Sequence, residues 1–176
     1  MVLYPFFLDI LKYTISGVGI VWIAFYVIKP YLDRDEKIQL LEFKKNITSQ
    51  TLPLRLQAYE RLVLFIERIN PANMLLRINS ASCSAAELHS LVVEEIRSEY
   101  QHNVTQQIYV SLRAWPVIKK IKEDTLALVN NSFRALPENA SGTDLGKLML
   151  NRLAQLDENP YDTAANMLKK DLEGLF

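Results

Sequence analysis

The chain has 176 residues, in which 20 lysines and arginines balance 20 aspartates and glutamates, with one cysteine and two histidines. This balance argues against a nucleic-acid-binding protein, because phosphate contacts need an excess of cationic side chains. A single cysteine excludes an intrachain disulfide and is typical of a reducing compartment. The histidines and the cysteine lack metal-ligand spacing and no glycine-rich phosphate loop occurs, so the sequence predicts no metal and no cofactor.

An uncharged apolar run, residues 13–28, lies between Lys12 and Lys29. As a helix it rises about 24 Å, and snorkelling of the flanking lysines extends it towards the roughly 30 Å hydrocarbon core of a bilayer. A cleaved signal peptide would begin with basic residues, but residues 1–11 contain none. We therefore predict a transmembrane anchor over residues 1–30, with the buried core helix of a soluble protein as the alternative.

Small residues lie within this predicted anchor, at Gly17, Gly19 and Ala24. Gly17 and Ala24 are two turns apart on one helix face, where small side chains let two membrane helices approach closely. These three residues are therefore candidate contacts with another membrane helix. The alternative is that they are ordinary membrane-helix residues, since the close Gly-x-x-x-Gly spacing is absent.

The charges on either side of the apolar run predict its orientation. Only Lys12 precedes the run, whereas five cationic residues follow it, namely Lys29, Arg34, Lys37, Lys44 and Lys45. By the positive-inside rule, the N-terminus lies outside and the rest of the chain is cytoplasmic. Residues 31–50 are predicted to form a charged juxtamembrane helix or stalk, in which the apolar repeat is too brief to predict a coiled coil.

A cytoplasmic globular domain is predicted over residues 51–176, which are enough for one domain and too few for two. Its first helix is expected to start at Thr51 and Pro53 and to end at Asn70–Pro71, because proline suits a first turn and disfavours helix in the residue before it. A wide apolar face of this helix includes Tyr59, Val63 and Ile66. Such a face is usually core, and a groove for a partner is the alternative.

A small two-stranded β element is an option that the sequence leaves open. Residues 74–79 are a short apolar run, and residues 105–111 are rich in the β-branched and aromatic residues that favour strands. The helix between them starts with a capping box, in which Ser84 and Glu87 satisfy each other's backbone amides. The alternative for the second segment is an unbroken helix, because glutamine is a good helix former.

Three further helices follow in the predicted domain. One starts at Trp115–Pro116, one runs from Thr143–Asp144 to Asn159–Pro160, and the last starts at about Thr163. The predicted fold class is therefore mainly α, with one N-terminal transmembrane helix followed by a compact cytoplasmic helical domain.

Few residues are candidates for catalysis. Cys83 precedes a predicted helix that contains His89, so a thiolate–imidazole pair is one option, and a small loop cysteine is the simpler explanation. A deep pocket holding Glu99, His102 and Tyr109 would also favour an enzyme. Neither group matches a known catalytic motif, so no catalytic residue is predicted and the chain is not expected to be an enzyme.

Several stretches resemble a known family, namely residues 51–71, residues 99–111 and Ala114–Trp115. The most specific block is Leu-Arg-Leu-Gln-Ala-Tyr-Glu-Arg-Leu, residues 54–62. These stretches are similar to an uncharacterised family of short, single-span membrane proteins from Bacteroidota. The resemblance implies a bacterial inner-membrane protein with a cytoplasmic domain, and it implies no activity, ligand or site residue.

Three functions are compatible with this organisation. An anchor joined to a compact domain without a reactive constellation favours a membrane-anchored adaptor or scaffold, which binds a protein partner or a second copy of itself at the lipid bilayer. An accessory subunit of a larger membrane transport or secretion complex is the first alternative, and an enzyme with an unrecognised site is the second. For an adaptor, the expected contact surfaces are the wide apolar helix face and the C-terminal helix with Met167 and Phe176.

Overall fold

The computed structural model describes residues 3–78 and 80–174 of the chain. Within these ranges the fold is mainly helical, as predicted, with α1 (Leu3–Ile69), α2 (Pro71–Arg77), α3 (Ala85–Asn103), α4 (Ala114–Arg134), α5 (Gly142–Ala154) and α6 (Pro160–Glu173). Two 3₁₀ segments, Ser80–Ser82 and Val104–Ile108, lie on either side of α3. The chain divides into two compact units, one up to Thr51 and one from Leu52 onwards.

The first unit is a stretch of α1 in which no described side chain is buried. Its apolar residues include large aromatic side chains that face solvent, such as Trp22 at 72% exposure and Tyr26 at 77%. Leaving such a surface in water is unfavourable by about 25 cal/mol for each Å² of apolar area. This part of α1 is therefore suited to an apolar environment that the chain itself does not provide.

By length and composition, α1 is the one helix of the described ranges that is apolar enough to cross a membrane, with a mean hydropathy of 1.6 over its best 18-residue window. None of that window is buried inside the protein, so α1 does not have the surroundings of a soluble core helix here. An N-terminal signal sequence meets the same criterion of length and composition. The helix is accordingly a candidate membrane span.

The second unit has one hydrophobic core, which α3, α4, α5 and α6 build by packing on one another. The last turns of α1 add a buried face to the same core. Each of these five helices contributes a side chain with almost no exposure: Phe65, Leu88, Ile118, Leu145 and Leu168. Burial of a side chain of this size typically contributes about 1.5–3 kcal/mol to stability.

Capping boxes start both α3 and α5. Ser84 and Glu87 form the predicted box at α3, and Ser141 and Asp144 form the equivalent box at α5. The pKa of Glu87 is lowered first by the hydrogen bond from the Ser84 backbone amide and then by that from its hydroxyl. The pKa of Asp144 is lowered first by the Ser141 hydroxyl and then by its amide. Both carboxylates are therefore stabilised in their charged form, which suits a helix N-terminus.

An isolated antiparallel bridge joins the starts of α3 and α5. Ala85 N donates a hydrogen bond to Ala140 O at 3.0 Å, and Gly142 N donates one to Cys83 O at 2.8 Å. A Cβ atom on Gly142 would lie 2.5 Å from the carbonyl oxygen of Ser80 and 2.9 Å from that of Cys83. Glycine is needed at this position because two backbone segments approach each other closely.

The two-stranded element is wrong, since no strand occurs in residues 3–78 or 80–174. The first predicted strand is largely helical: residues 74–77 lie in α2, and Asn79 falls outside the described residues. In the second predicted strand, residues 105–108 lie in the 3₁₀ segment Val104–Ile108, which leaves Ile108 74% exposed. A strand there would need a neighbouring strand to pair with, and the helical 74–77 segment cannot serve as one.

Three predicted helix starts are also wrong. No helix starts at Thr51, because α1 continues through Pro53, whose fixed φ is compatible with a helix although it removes one backbone donor. Helix α5 starts at Gly142, one residue before the predicted Thr143, because Ser141 caps it. The last helix, α6, begins before Thr163, because Asn159 caps it by accepting a hydrogen bond from Tyr161 N at 3.0 Å.

Candidate docking groove

A groove with a volume of 620 Å³ lies between the start of α4 and the end of α6. Leu112, Val117 and Met167 supply its apolar lining. Leu112 is 96% exposed and Met167 is 51% exposed, although both side chains are large and apolar. Exposed apolar side chains on one concave surface are typical of a site that a partner covers.

Hydrogen bonds centred on Ser111 fix the polar wall of the groove. Ser111 Oγ donates to Asp171 Oδ2 at 2.6 Å and accepts hydrogen bonds from the backbone amides of Arg113 and Ala114 at 3.1 and 3.2 Å. The Tyr59 hydroxyl donates to the same Asp171 oxygen and accepts a hydrogen bond from Ser111 N at 3.2 Å. This network ties together α1, the start of α4 and the end of α6.

The charges that line the groove are mainly positive. Burial raises the pKa of Tyr59, and its hydrogen bond to Asp171 raises that pKa further, so the hydroxyl stays protonated and keeps donating to the carboxylate. The Asp171 carboxylate thus accepts hydrogen bonds from within the protein, whereas Arg113 and Lys170 form no ion pair with any residue that the structure describes. The groove therefore combines an apolar centre with cations that are available to a partner.

The small residues predicted as membrane-helix contacts lie on the open surface of α1. Gly17 and Ala24 are exposed and Gly19 is partly exposed. Apart from the adjacent residues and the backbone of α1 itself, no described heavy atom lies within 4 Å of the position that a Cβ atom would take on Gly17 or Gly19. The structure therefore leaves this surface open, and its contact role stays a prediction.

The remaining predicted contacts differ in accessibility. Tyr59 and Ile66 are buried in the core at 2% and 0% exposure, and Val63 packs against that core. This face of α1 therefore belongs mainly to the core, as its sequence pattern favours, and its role in a partner contact stays a prediction. Met167 lines the groove, whereas Phe176 lies outside the described residues.

The sequence patterns do not single out Ser111, Leu112 or Asp171 as parts of a site. A local signal exists, because Ser111 lies three residues before the start of α4 and its hydroxyl accepts hydrogen bonds from the first amides. Because residues 105–111 are predicted as a strand, Ser111 is not predicted to accept hydrogen bonds at the start of a helix. The pairing with Asp171 joins residues 60 positions apart, which helix periodicity does not predict.

The imidazole of His89, in α3, packs against α4. His89 Nε2 is hydrogen-bonded to Asn130 Oδ1 at 2.8 Å, and the ring stacks on Phe133 with ring centroids 4.5 Å apart. Both partners belong to α4, so the imidazole helps to hold α3 against α4. Cys83 is partly buried, and its carbonyl oxygen takes part in the bridge with Gly142. This geometry supports a structural role for each residue.

The second catalytic option, Glu99 with His102 and Tyr109, is assembled only in part. Glu99 and His102 line a cavity of 230 Å³, and Arg68 Nη1 lies 2.6 Å from Glu99 Oε1 within it. Tyr109 lies elsewhere, and its carbonyl oxygen accepts a hydrogen bond from Arg55 Nε at 3.3 Å. The Glu99 carboxylate is thus paired with a guanidinium, and the three side chains do not share one pocket.

No group of three or more His, Cys, Asp or Glu side chains suited to a metal ion occurs in the part of the chain that the structure describes.

Two lysines of α4, Lys120 and Lys122, form ion pairs with acidic residues of the same helix. Lys120 Nζ lies 3.0 Å from Asp124 Oδ2, and Lys122 Nζ lies 2.7 Å from Glu123 Oε1.

In residues 3–78 and 80–174, the protein is mainly helical and has a candidate membrane span in α1 and a candidate docking groove between α4 and α6. A family model described as "Family of unknown function (DUF7935)" matches residues 5–175. Because this match covers nearly the whole chain, the chain belongs to that family, and the expected membership of a family without a known function is confirmed. Comparisons with the curated proteins and with the solved structures give no match.

Proposed function

We propose that the chain is a membrane-anchored adaptor or scaffold, which binds a cytoplasmic protein and performs no catalysis. The observation that carries this proposal is the groove between α4 and α6, where Leu112 and Met167 lie exposed beside the cations Arg113 and Lys170. An apolar centre with a charged rim is the usual anatomy of a protein–protein contact.

The anchor in this proposal is the apolar N-terminal part of α1, placed in a bacterial inner membrane with the N-terminus outside. The exposed apolar surface of that helix and the five cations that follow it support this arrangement. Confinement to a bilayer raises the effective concentration of the groove towards other membrane-bound proteins. A groove of modest size can therefore serve a weak but frequent interaction.

The charges of the groove favour one class of occupant, a protein segment in which carboxylates flank a large apolar side chain. The apolar side chain would cover Leu112 and Met167, which typically contributes about 1.5–3 kcal/mol. The carboxylates would pair with Arg113 and Lys170, and rim charges of this kind mainly set the association rate and the choice of partner.

Site-specific photocrosslinking in the native host tests this proposal. A photoreactive amino acid replaces Leu112 in one full-length variant and Leu76 in the control, because Leu76 is also strongly exposed, at 87%, but lies on α2. We expect one dominant adduct from position 112 and not from position 76. The crosslinked peptide, identified by mass spectrometry, should carry Asp or Glu next to an apolar residue.

Charge reversal in the position-112 variant supplies the second half of the test. Arg113→Glu combined with Lys170→Glu should abolish the adduct, because both cations that the groove offers to acidic groups are lost. An adduct that survives this reversal, or a crosslinked peptide that is basic, would contradict the proposed partner chemistry. Equal adducts from positions 112 and 76 would contradict the groove as the contact site.

A further inference from the structure

Charges of both signs line the groove between α4 and α6, yet they do not pair with one another. Arg113, Lys170 and Asp171 all belong to its lining. Among the residues that the structure describes, no ion pair joins Asp171 to either cation. Opposite charges in one small site attract each other, so a feature of the fold must hold the carboxylate and the cations apart.

Two neutral hydroxyl groups bind the carboxylate in place of a cation. The Tyr59 hydroxyl and Ser111 Oγ both donate hydrogen bonds to Asp171 Oδ2, the second of them at 2.6 Å. Hydrogen bonds from a hydroxyl to a carboxylate are short and charge-assisted, whereas an exposed ion pair contributes little because water competes for both charges. Asp171 is partly buried, and Arg113 and Lys170 are exposed. The hydroxyls therefore hold the carboxylate more firmly than either cation would.

The fold fixes both of these hydroxyl groups. The Tyr59 side chain is 2% exposed and belongs to the core, and its hydroxyl also accepts a hydrogen bond from Ser111 N at 3.2 Å. Ser111 Oγ in turn accepts hydrogen bonds from the amides of Arg113 and Ala114 at the start of α4. Tyr59 does not line the groove, so it acts on the groove only through Asp171 and Ser111.

We infer that Tyr59 and Ser111 are positioning residues, which bind the Asp171 carboxylate and thereby leave Arg113 and Lys170 open to the carboxylates of a partner. This inference rests on the proposed function, because it explains how the groove keeps its preference for an acidic segment. Without the Tyr59 hydroxyl, Asp171 loses one of its two donors and turns towards the cations of the same groove. The groove then offers less positive charge to a partner, which lowers both attraction and selectivity.

Chemical labelling of the detergent-solubilised full-length chain tests the inference without a partner. Lys170 is acylated and Arg113 is modified with phenylglyoxal, and mass spectrometry gives both rates relative to Lys169 and Arg134. These two reference residues are also exposed, and they lie outside the groove. We expect Tyr59→Phe to slow the labelling of one or both groove cations about two- to five-fold, the range that an exposed ion pair produces. Unchanged rates at both cations would overturn the inference.

Asp171→Asn separates this charge effect from a general loosening of the fold. When it is combined with Tyr59→Phe, no carboxylate is left to pair with the cations, so both labelling rates should return to those of the wild type. A rate that stays low in the double variant would overturn the inference, because the effect would not depend on the charge of Asp171.

Tyr161→Phe is the matched control for the loss of a buried tyrosine hydroxyl. Tyr161 is 3% exposed, its hydroxyl lies 2.9 Å from Thr125 Oγ1, and neither residue lines the groove. This variant should leave the labelling of both groove cations unchanged. Slowing equal to that in Tyr59→Phe would show that loss of any buried hydroxyl has the same effect, and would overturn the inference.

Photocrosslinking from position 112 in the native host reports the proposed function separately. The adduct should fall several-fold in Tyr59→Phe and recover when Asp171→Asn is added. An adduct that is unchanged in Tyr59→Phe refutes the inference and leaves the proposed function standing. Labelling that responds as expected, without an adduct from position 112 in the otherwise wild-type chain, refutes the proposed function alone.

Discussion

Replacing Gly142 with alanine should destabilise the second unit through a backbone clash. The added Cβ would lie 2.5 Å from Ser80 O and 2.9 Å from Cys83 O, well inside van der Waals contact. Both atoms belong to the backbone, so the segment before α3 must move to relieve the contact. That movement strains the bridge bonds, Gly142 N to Cys83 O at 2.8 Å and Ala85 N to Ala140 O at 3.0 Å.

The expected loss follows from these contacts. Overpacking of this kind costs about 1–3 kcal/mol, and each weakened backbone hydrogen bond costs about 1 kcal/mol. Alanine recovers up to about 1 kcal/mol through its higher helix propensity. With both bridge bonds weakened, the net loss for Gly142→Ala is therefore about 2–4 kcal/mol, which corresponds to a fall in Tm on the order of 10 °C.

Circular dichroism of the full-length chain in detergent, followed during heating, measures this effect. Gly146→Ala is the matched control, because Gly146 lies one turn further along α5 and the nearest atoms to its added Cβ would be those of the flexible Leu75 side chain, at 3.4 Å. We expect that control to melt at or slightly above the temperature of the wild type. If Gly142→Ala melted with the wild type, the close approach of the two helix starts would not be a structural requirement.

The remaining predictions concern the core, pH, the cysteine and topology. Leu62→Asp should cost about 3 kcal/mol or more in a melting experiment because Leu62 is 0% exposed, whereas Leu64→Asp should cost little because Leu64 is 51% exposed. The pKa values of Glu87 and Asp144 are lowered in the folded state. Their contribution to folding stability is therefore present above the unfolded pKa of about 4 and should be lost as the pH falls below it. A series of Tm measurements at acidic pH tests this. Cys83→Ser should leave Tm and growth phenotype unchanged. A C-terminal reporter that is active only in the periplasm should stay silent, and activity there would reverse the proposed orientation.

Local sequence patterns correctly predict the mainly helical class of the fold and its clearest helix cap. The capping box of Ser84 and Glu87 depends on four consecutive residues, and the structure contains it as predicted. Apolar spacing likewise identified the face of α1 that contains Tyr59 and Ile66, which are core residues. Such features depend on residues that are close in sequence, which explains why they can be predicted.

Asparagine–proline pairs can start a helix as well as end one. The predicted end at Asn70–Pro71 is confirmed, because α1 ends at Ile69, whereas α5 ends at Ala154, before the predicted Asn159–Pro160. Asn70–Pro71 and Asn159–Pro160 were interpreted as helix stops, but each also starts the next helix, because the asparagine side chain accepts an amide hydrogen bond and proline occupies the first helical position. The 74–79 strand fails for the same reason, since α2 begins at Pro71. The same dipeptide can end one helix and begin another. Whether the residues after it form a strand or a helix depends on how they pack in the folded unit.

The groove depends on contacts that single-helix patterns do not contain. Met167 was predicted as a contact from its position in the last helix, and it lies in the groove. The opposite wall requires Ser111 and Leu112, which precede α4 and meet α6 only in the folded unit. Periodicity predicts which face of a helix is apolar, but it does not predict which two helix ends come together.

Partner occupancy of the full-length chain, solubilised from native membranes in mild detergent, tests the central claim most directly. The amount of the groove-bound protein retained per chain is compared between the wild type, Leu112→Asp in the groove and Leu76→Asp on α2. The account predicts that the wild type and Leu76→Asp retain the same partner in equal amounts, and that Leu112→Asp loses it while keeping its Tm. Undiminished retention by Leu112→Asp would contradict the claim that the chain acts through this groove.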